Sequence, residues 1–130
     1  MTINIQKNVL IAPELAHTLG VRVKNTGVTA DSEGKKIILA GTIIGGETDA
    51  LSDRTAELAV ANANTIATAQ GITINDVDVT NGTGTVAMLK AGVVDTDKLP
   101  AAMQAIVTNA TAMNNASGLS KIIFQKGDAQ

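Results

Sequence analysis

Phe124 is the single aromatic residue of this 130-residue chain, which contains neither tryptophan nor tyrosine. The interior must therefore be built from valine, isoleucine, leucine, alanine and threonine, which are small or β-branched and suit packed sheets. Enzyme and ligand pockets usually take much of their shape and binding energy from aromatic side chains. The composition thus favours a β-rich scaffold over a protein built around a pocket.

Length and charge narrow the class of protein further. A chain of 130 residues fits one domain, spanning 1–130. The formal net charge of -2 does not provide the basic field with which nucleic-acid-binding proteins collect phosphates. We expect no secretory signal, and no run approaches the roughly 18 apolar residues that cross a bilayer, so no membrane partner is expected. Because cysteine is absent, disulfides and thiolate metal sites are excluded.

The first third of the chain predicts an arm followed by strands. Residues 1–19 carry sparse aliphatic residues and a proline, which predicts an extended N-terminal arm or a short edge strand. Val21 and Val23 alternate with charged residues and predict a half-buried strand at the start of a β-rich body over 20–130. The β-branched run from Lys36 to Ile44 predicts one well-buried strand, with a bulge or a close backbone approach at Gly41.

The stretch from Thr48 to Gln70 leaves two structures open. Asp49 or Ser52 could cap a helix in this alanine-rich sequence. Asparagine and threonine residues weaken the helical pattern in its second half. The sequence therefore predicts either a short helix or an irregular loop here.

The remainder of the chain predicts strands around a glycine-rich turn. A strand from Ile72 to Val79 is expected to break near Asn75-Asp76. Asn81-Gly82-Thr83-Gly84 predicts a hairpin turn, after which Thr85 to Val94 returns as the partner strand with a bulge at Gly92.

A helix and a short strand are expected to complete the fold. The helix follows Leu99-Pro100, carries Met103 and Ile106 on its apolar face, and is closed by Ser117-Gly118. Ile122 to Phe124 then predicts the last strand. The expected fold class is mainly β (α+β), a small mixed β-sheet or β-barrel-like fold with one or two short helices.

His17, the single histidine, is the one candidate for a catalytic or metal-binding imidazole. It lies close to Pro13 in a predicted loop or arm, so a surface or packing role is favoured. A small metal-dependent hydrolase would have to combine His17 with Asp76 or Asp78. That alternative is retained here as the least favoured.

Two pairs of aspartates could bind calcium or act as acid and base, namely Asp76 with Asp78 and Asp95 with Asp97. Neither pair has the alternating acidic series and following glutamate of a calcium loop. Aspartates at strand ends and helix starts usually form turns or caps. We therefore assign no catalytic, cofactor-binding or metal-binding residue, and we expect no cofactor and no enzymatic activity.

Three segments together resemble the head-decoration (capsid-cementing) proteins of tailed bacteriophages, in particular the lambda-type family. Gly34 to Gly46 resembles the family's strand that runs from a charged turn through Ala-Gly-Thr into a glycine-rich loop. Gly71 to Thr85, followed by Ala91 to Asp95, is similar to its Asp-Val-Asp-Val-Thr strand, glycine-rich turn and return strand. Asp97-Lys98-Leu99-Pro100, the helix and Ile122-Ile123-Phe124 resemble its C-terminal end. The stretch from Thr48 to Gln70 departs from the pattern.

The resemblance implies a structural virion protein, made in the bacterial host cytoplasm, that binds the outer capsid surface and stabilises it against internal genome pressure. Its implied partners are the major capsid protein and further copies of itself, since lambda-type members are trimers, although other members bind as monomers. The N-terminal arm, 1–19, is the expected capsid-binding element. Its candidate contact residues are aliphatic: Ile3, Ile5, Val9 and Ile11. The related alternative is a tail or head-tail component.

Overall fold

The computed structural model describes residues 10–11, 17–62, 64–109 and 113–125, with side chains from His17 onward. The described residues form nine strands, one α-helix that is described over its whole length and three single turns of 3₁₀-helix, and residues 113–114 are also helical. The strands are β1 (Leu10–Ile11), β2 (His17–Lys24), β3 (Ile37–Ile38), β4 (Ile43–Gly45), β5 (Glu57–Val60), β6 (Ala69–Thr73), β7 (Val77–Asp78), β8 (Thr83–Asp95) and β9 (Ile122–Gln125). The helix α1 spans Ala101–Val107, and the 3₁₀ turns span Ile66–Thr68, Thr96–Lys98 and Ser117–Leu119.

Five of these strands close into a barrel. In order around the barrel, β2, β5, β4, β6 and β8 each pair with the next, and β8 pairs back with β2. The β2–β5 pair is parallel and the other four pairs are antiparallel. The expected mainly β, barrel-like fold with a short helix is confirmed.

The barrel has apolar side chains on both faces of its strands. One cluster fills the inside and contains Val21, Val23, Ile44, Leu58, Val86 and Met88. The second cluster covers the outer face and joins Ile43, Ile72 and Leu89 to α1 and β9 through Met103, Ile106 and Ile122. Adjacent residues Ile43 and Ile44 therefore serve different cores, which explains why β4 is fully buried. Phe124 packs at the edge of the outer cluster, as a partly buried residue.

Two smaller pairings flank the barrel. β3 and β7 form a two-stranded antiparallel sheet, with Ile37 opposite Asp78 and Ile38 opposite Val77. The end of β8 continues beyond the barrel, where β1 pairs with it antiparallel and β9 parallel. We refer to β1, β9 and residues 92–95 of β8 as the sheet extension.

The prediction of one strand from Lys36 to Ile44 is wrong. The chain forms β3, turns at Ala40-Gly41 and then enters β4 in a different sheet. Gly41 has a φ of 89°, a conformation that glycine adopts without the steric penalty of a side chain. The Gly41 amide donates to the Thr73 carbonyl across the turn, at 2.7 Å. The glycine was identified as special, but it breaks the strand rather than bulging it.

The stretch from Thr48 to Gln70 contains a strand, β5, where the sequence predicts a short helix or an irregular loop. No α-helix forms among its described residues: turns run through 49–55, β5 follows, and a 3₁₀ turn precedes β6. Four residues of β5 cannot display a clear periodicity, and the alanine-rich sequence resembles a helix. Burial of Leu58 inside the barrel overrides that local preference.

The later predictions are mostly confirmed. The break near Asn75-Asp76 separates β6 from β7, and the turn at Asn81–Thr83 leads into β8. However, β7 pairs with β3, and β8 finds its antiparallel partners in β2 and β6. The helix after Pro100 is present with Met103 and Ile106 buried, but it ends at Val107, well before Ser117.

Close backbone approach between β4 and the start of β6 provides a test of the barrel packing. A Cβ at Gly45 would collide with the carbonyl oxygen of Thr68 and lie 2.6 Å from the Ala69 Cα. We predict that Gly45→Ala lowers the free energy of unfolding by about 1–3 kcal/mol, as overpacking does, measured by urea denaturation. Gly20→Ala in β2 is the control, because nothing lies within 4 Å of its added Cβ. Equal stability of the two variants would contradict the packing described here.

Candidate interaction surface

In the sheet extension, β1 and β9 are the outer strands, and each of them pairs with β8. Leu10 and Ile11 lie opposite Val94 and Val93, and Ile122 to Gln125 run beside Gly92 to Asp95. Among the described residues, β1 and β9 each have β8 as their single strand partner. An outer strand presents unpaired backbone groups that can accept a further strand. Ile123, on β9, is 59% exposed, so this extension also carries apolar surface.

One of the four candidate capsid-contact residues, Ile11, lies in this extension. Ile11 lies in β1, which makes it part of the body of the domain rather than a free arm. Ile3, Ile5 and Val9 lie outside the described residues. The N-terminal segment, which we define as residues 1–9, thus directly precedes an outer strand of the fold.

A second apolar feature is a groove between β3 and the start of α1, which we call the β3–α1 groove. Its volume is about 170 Å³, and its lining is mostly carbon: Val28, Ile37, Leu39, Val60, Pro100 and Met103. Leu39 is 47% exposed at the groove, a high value for a leucine. No local sequence pattern indicates the groove, since its walls come from four separate parts of the chain.

Polar contacts hold the walls of this groove in place. The Ile43 amide donates to the Met103 sulfur at 3.3 Å, which ties α1 to β4. The Thr73 hydroxyl, fully buried, donates to the Leu39 carbonyl at 3.0 Å and accepts from the Thr42 amide at 3.1 Å. The groove is therefore a fixed feature of the barrel wall rather than a gap between loosely packed elements.

The residues required by the hydrolase alternative are not brought together. His17 is exposed at the start of β2, opposite Ala91, whereas Asp78 lies beside Gly84 near the other end of β8. Ala91 lies seven residues after Gly84 along β8, which corresponds to about 23 Å at ~3.3 Å per residue. Asp76 accepts a hydrogen bond from the Ala40 amide at 2.8 Å. The described residues contain no group of three or more histidine, aspartate or glutamate side chains that could hold a metal ion.

Aspartates shape the turns of this domain. Five of them accept a hydrogen bond from the backbone amide two residues further on: Asp31, Asp49, Asp53, Asp78 and Asp95. This geometry is the Asx-turn, in which the side chain replaces a backbone acceptor. The turn-forming role favoured for the Asp78 and Asp95 carboxylates is confirmed.

Hydroxyl groups stabilise two of these carboxylates. The Thr55 hydroxyl donates to Asp53 at 2.6 Å, and this bond, followed by the Thr55 amide, lowers the pKa of Asp53. The Thr80 hydroxyl and amide lower the pKa of Asp78 in the same way. Both carboxylates are exposed, so these shifts indicate stable turns rather than a poised acid or base.

The buried polar side chains also form hydrogen bonds that stabilise the fold. Gln70 donates to the Gly46 and Thr48 carbonyls at 3.0 and 2.7 Å and accepts from the Ala50 amide at 2.9 Å, which anchors the 46–50 loop. Over the part of the chain that the structure describes, every buried side-chain nitrogen and oxygen has a partner. The hydrogen bonds of Gln70 therefore have a structural role, since they hold the backbone of this loop.

No helix within the described ranges is long and apolar enough to cross a membrane. Comparison with known proteins adds no assignment, since no protein-family model matches the chain and no curated protein shows significant similarity to it.

Removal of one hydroxyl tests the turn-forming role of the aspartates. We predict that Thr55→Val raises the pKa of Asp53 toward its ordinary value, measured by NMR titration of the carboxyl carbons. Asp78 keeps its own threonine partner and serves as the control within the same sample. Because the folded pKa of Asp53 is lowered, its stabilising contribution is present above the unfolded pKa and is lost as the pH falls through the folded pKa. An unchanged Asp53 titration would contradict this assignment.

Proposed function

We propose that this protein is a head-decoration protein of a tailed bacteriophage, which binds the outer surface of the capsid and cements neighbouring capsid subunits. The observation that carries the proposal is the position of the N-terminal segment immediately before an outer strand of the fold. Residues 1–9 alternate isoleucine with polar residues at Ile3 and Ile5, as an added strand requires. Such a protein resides on the virion and has no catalytic role.

The segments that resemble the decoration family supply six of the nine described strands, wholly or in part, together with α1. Residues 34–46 form β3 and β4, and residues 71–85 with 91–95 form most of β6, all of β7 and both ends of β8. Residues 97–100 lead into α1, and residues 122–124 form most of β9. They pack on one another in the two apolar clusters. The departing stretch, 48–70, supplies β5 and the loop anchored by Gln70.

The physical demands on a cementing protein match the features described. A closed barrel with two apolar cores makes a rigid body, so little conformational entropy is lost when it binds. Strand addition at an outer edge supplies backbone hydrogen bonds without a deep pocket. Each copy needs only modest affinity for the capsid, because many copies bind to one particle and their contacts act together.

The N-terminal segment provides the direct test. Expanded and unexpanded capsids would be assembled from the major capsid protein of the same genome and mixed with the purified protein, and bound copies per capsid would be counted. We predict saturable binding that falls by about tenfold or more when residues 2–9 are deleted. Deletion must stop before Leu10, since β1 belongs to the body of the domain.

Point variants distinguish the effect of apolar contacts on capsid binding from the effect of shortening the chain. Ile3→Ser with Ile5→Ser should weaken capsid binding as the deletion does, whereas Asn4→Ser with Gln6→Ser should leave it intact. Failure of the full-length protein to bind either capsid form would overturn the decoration proposal. A stoichiometry of about a dozen copies per particle, instead of hundreds, would indicate a head-tail or tail component.

Self-association is the second part of the proposal. We predict that light scattering gives a mass about three times the 13.2 kDa of one chain, as expected for a homotrimer. Exposed Ile123 on β9 offers apolar surface for such contacts. Ile123→Asp should then shift the mass toward that of the monomer, with Leu51→Asp, at an equally exposed leucine in a turn, as the control. A monomeric wild-type protein would exclude the trimer.

A further inference from the structure

Asn81-Gly82 is the one place in this chain where a glycine follows an asparagine. The pair lies in the turn from Val79 to Gly82, which the Gly82 amide closes by donating to the Val79 carbonyl at 2.9 Å. Asn81 is exposed in this turn. A hairpin turn explains the glycine, but the exposed asparagine side chain next to it also has a chemistry of its own.

An asparagine that precedes a glycine can react with its own backbone. The Gly82 nitrogen loses its proton to a base from the solvent and bonds to the Asn81 Cγ, and the side-chain nitrogen leaves as ammonia. The product is a succinimide ring. Water then opens this ring at either carbonyl, which gives aspartate or isoaspartate. A side chain on the following residue hinders the attack, whereas glycine has no Cβ.

The structure leaves room for this ring to form. A Cβ added at Gly82 would have nothing within 4 Å, so this side of the turn is open. The hydrogen bond from Gly82 to Val79 must break before the nitrogen can attack. Turns at the surface open locally at a small cost in free energy. The reaction therefore needs a fluctuation of this turn and no unfolding of the barrel.

Asn75 is the matched comparison within the same chain. It is also exposed, and it lies in the bend between β6 and β7. The residue that follows it is Asp76, whose side chain hinders the attacking nitrogen. The two asparagines thus share exposure and differ in the residue that follows.

The turn leads directly into the start of β8, so its main-chain length matters to the fold. Thr83 and Gly84 lie opposite Lys24 and Val23 of β2. A Cβ at Gly84 would lie 2.6 Å from the Val77 Cγ2, so this part of β8 packs closely on β7. Isoaspartate inserts a methylene carbon into the main chain. The lengthened turn then cannot keep both its closing hydrogen bond and the position of Thr83.

We infer that Asn81 is a site of spontaneous deamidation, at which the folded protein forms isoaspartate and aspartate, and that the isoaspartate weakens the pairing at the start of β8. Both products add a negative charge to a chain whose formal net charge is -2. Aspartate leaves the main chain unchanged, so the weakening belongs to isoaspartate. The inference concerns the free protein and does not depend on a capsid partner.

Peptide mapping by mass spectrometry tests the modification. The purified protein would be kept folded at neutral and at mildly basic pH, and the conversion of each asparagine would be measured after increasing times. We expect Asn81 to convert about tenfold or more faster than Asn75, because glycine leaves the nitrogen unhindered. The rate should rise with pH, since base removes the proton from that nitrogen. A rate no faster than that of Asn75, or one independent of pH, would overturn the proposal.

Gly82→Ala provides a variant in which the nitrogen is hindered. Conversion of Asn81 is expected to slow by about tenfold, because alanine carries a Cβ. The φ of 125° at Gly82 is strained for alanine, so the fold of this variant would be checked by circular dichroism. The comparison with Asn75 in the wild-type protein decides the question if the variant does not fold. Conversion at the wild-type rate in folded Gly82→Ala would contradict the ring mechanism.

Hydrogen exchange tests the effect on β8. Deamidated protein would be separated by anion exchange, which detects the added charge, and compared with wild type and with Asn81→Asp. We expect the amides of residues 83–85 to exchange several-fold faster in the isoaspartate form. Asn81→Asp should keep the wild-type rate, because it has the added charge and an unchanged main chain. Equal exchange in the isoaspartate form and in Asn81→Asp would overturn the proposed weakening.

Discussion

The backbone hydrogen bonds of β8 hold this structure together. This 13-residue strand pairs with β2 and β6 inside the barrel and with β1 and β9 in the sheet extension. The change of partners occurs around Gly92, whose φ of 151° lies in the region that favours glycine. Without β8 the barrel has no closure, and β1 and β9 lose their described strand partner.

The lack of large aromatic residues fits this arrangement. Strands of a five-stranded barrel lie close together, and their inner face has room for side chains such as Val21, Leu58 and Met88. At Gly71 the space is tighter still, since an added Cβ would lie 2.5 Å from both the Leu89 carbonyl oxygen and the Met88 Cγ. Small residues bring the backbones together, and the resulting rigidity suits binding at edges and grooves more than binding in an internal pocket.

The sequence predicted much of this fold where a signal was local. Alternation identified the core of β2, and the Leu99-Pro100 pair located the start of α1. Local signals failed where strand pairing depends on residues that are far away in the sequence. Nothing within Lys36 to Ile44 indicates that its two halves pair with different strands, and four residues of β5 are too few to display a period.

The candidate surface was predictable in part for the same reason. Alternation at Ile3 and Ile5 predicts an apolar face, and that face stays a prediction because both residues lie outside the part of the chain that the structure describes. The β3–α1 groove could not be found in this way, because Val28, Leu39 and Met103 meet only after the barrel has closed. The turn roles of Asp78 and Asp95 were predictable because an Asx-turn is completed within three residues.

The partners of β8 also determine the order in which the chain can fold. β2 lies about sixty residues before β8 in the sequence, and its antiparallel partner is absent until β8 has been synthesised. Loop closure over such distances is slow compared with local turn formation. During synthesis β2 therefore remains without its longest ladder, and the barrel closes in a late step that requires residues 83–95.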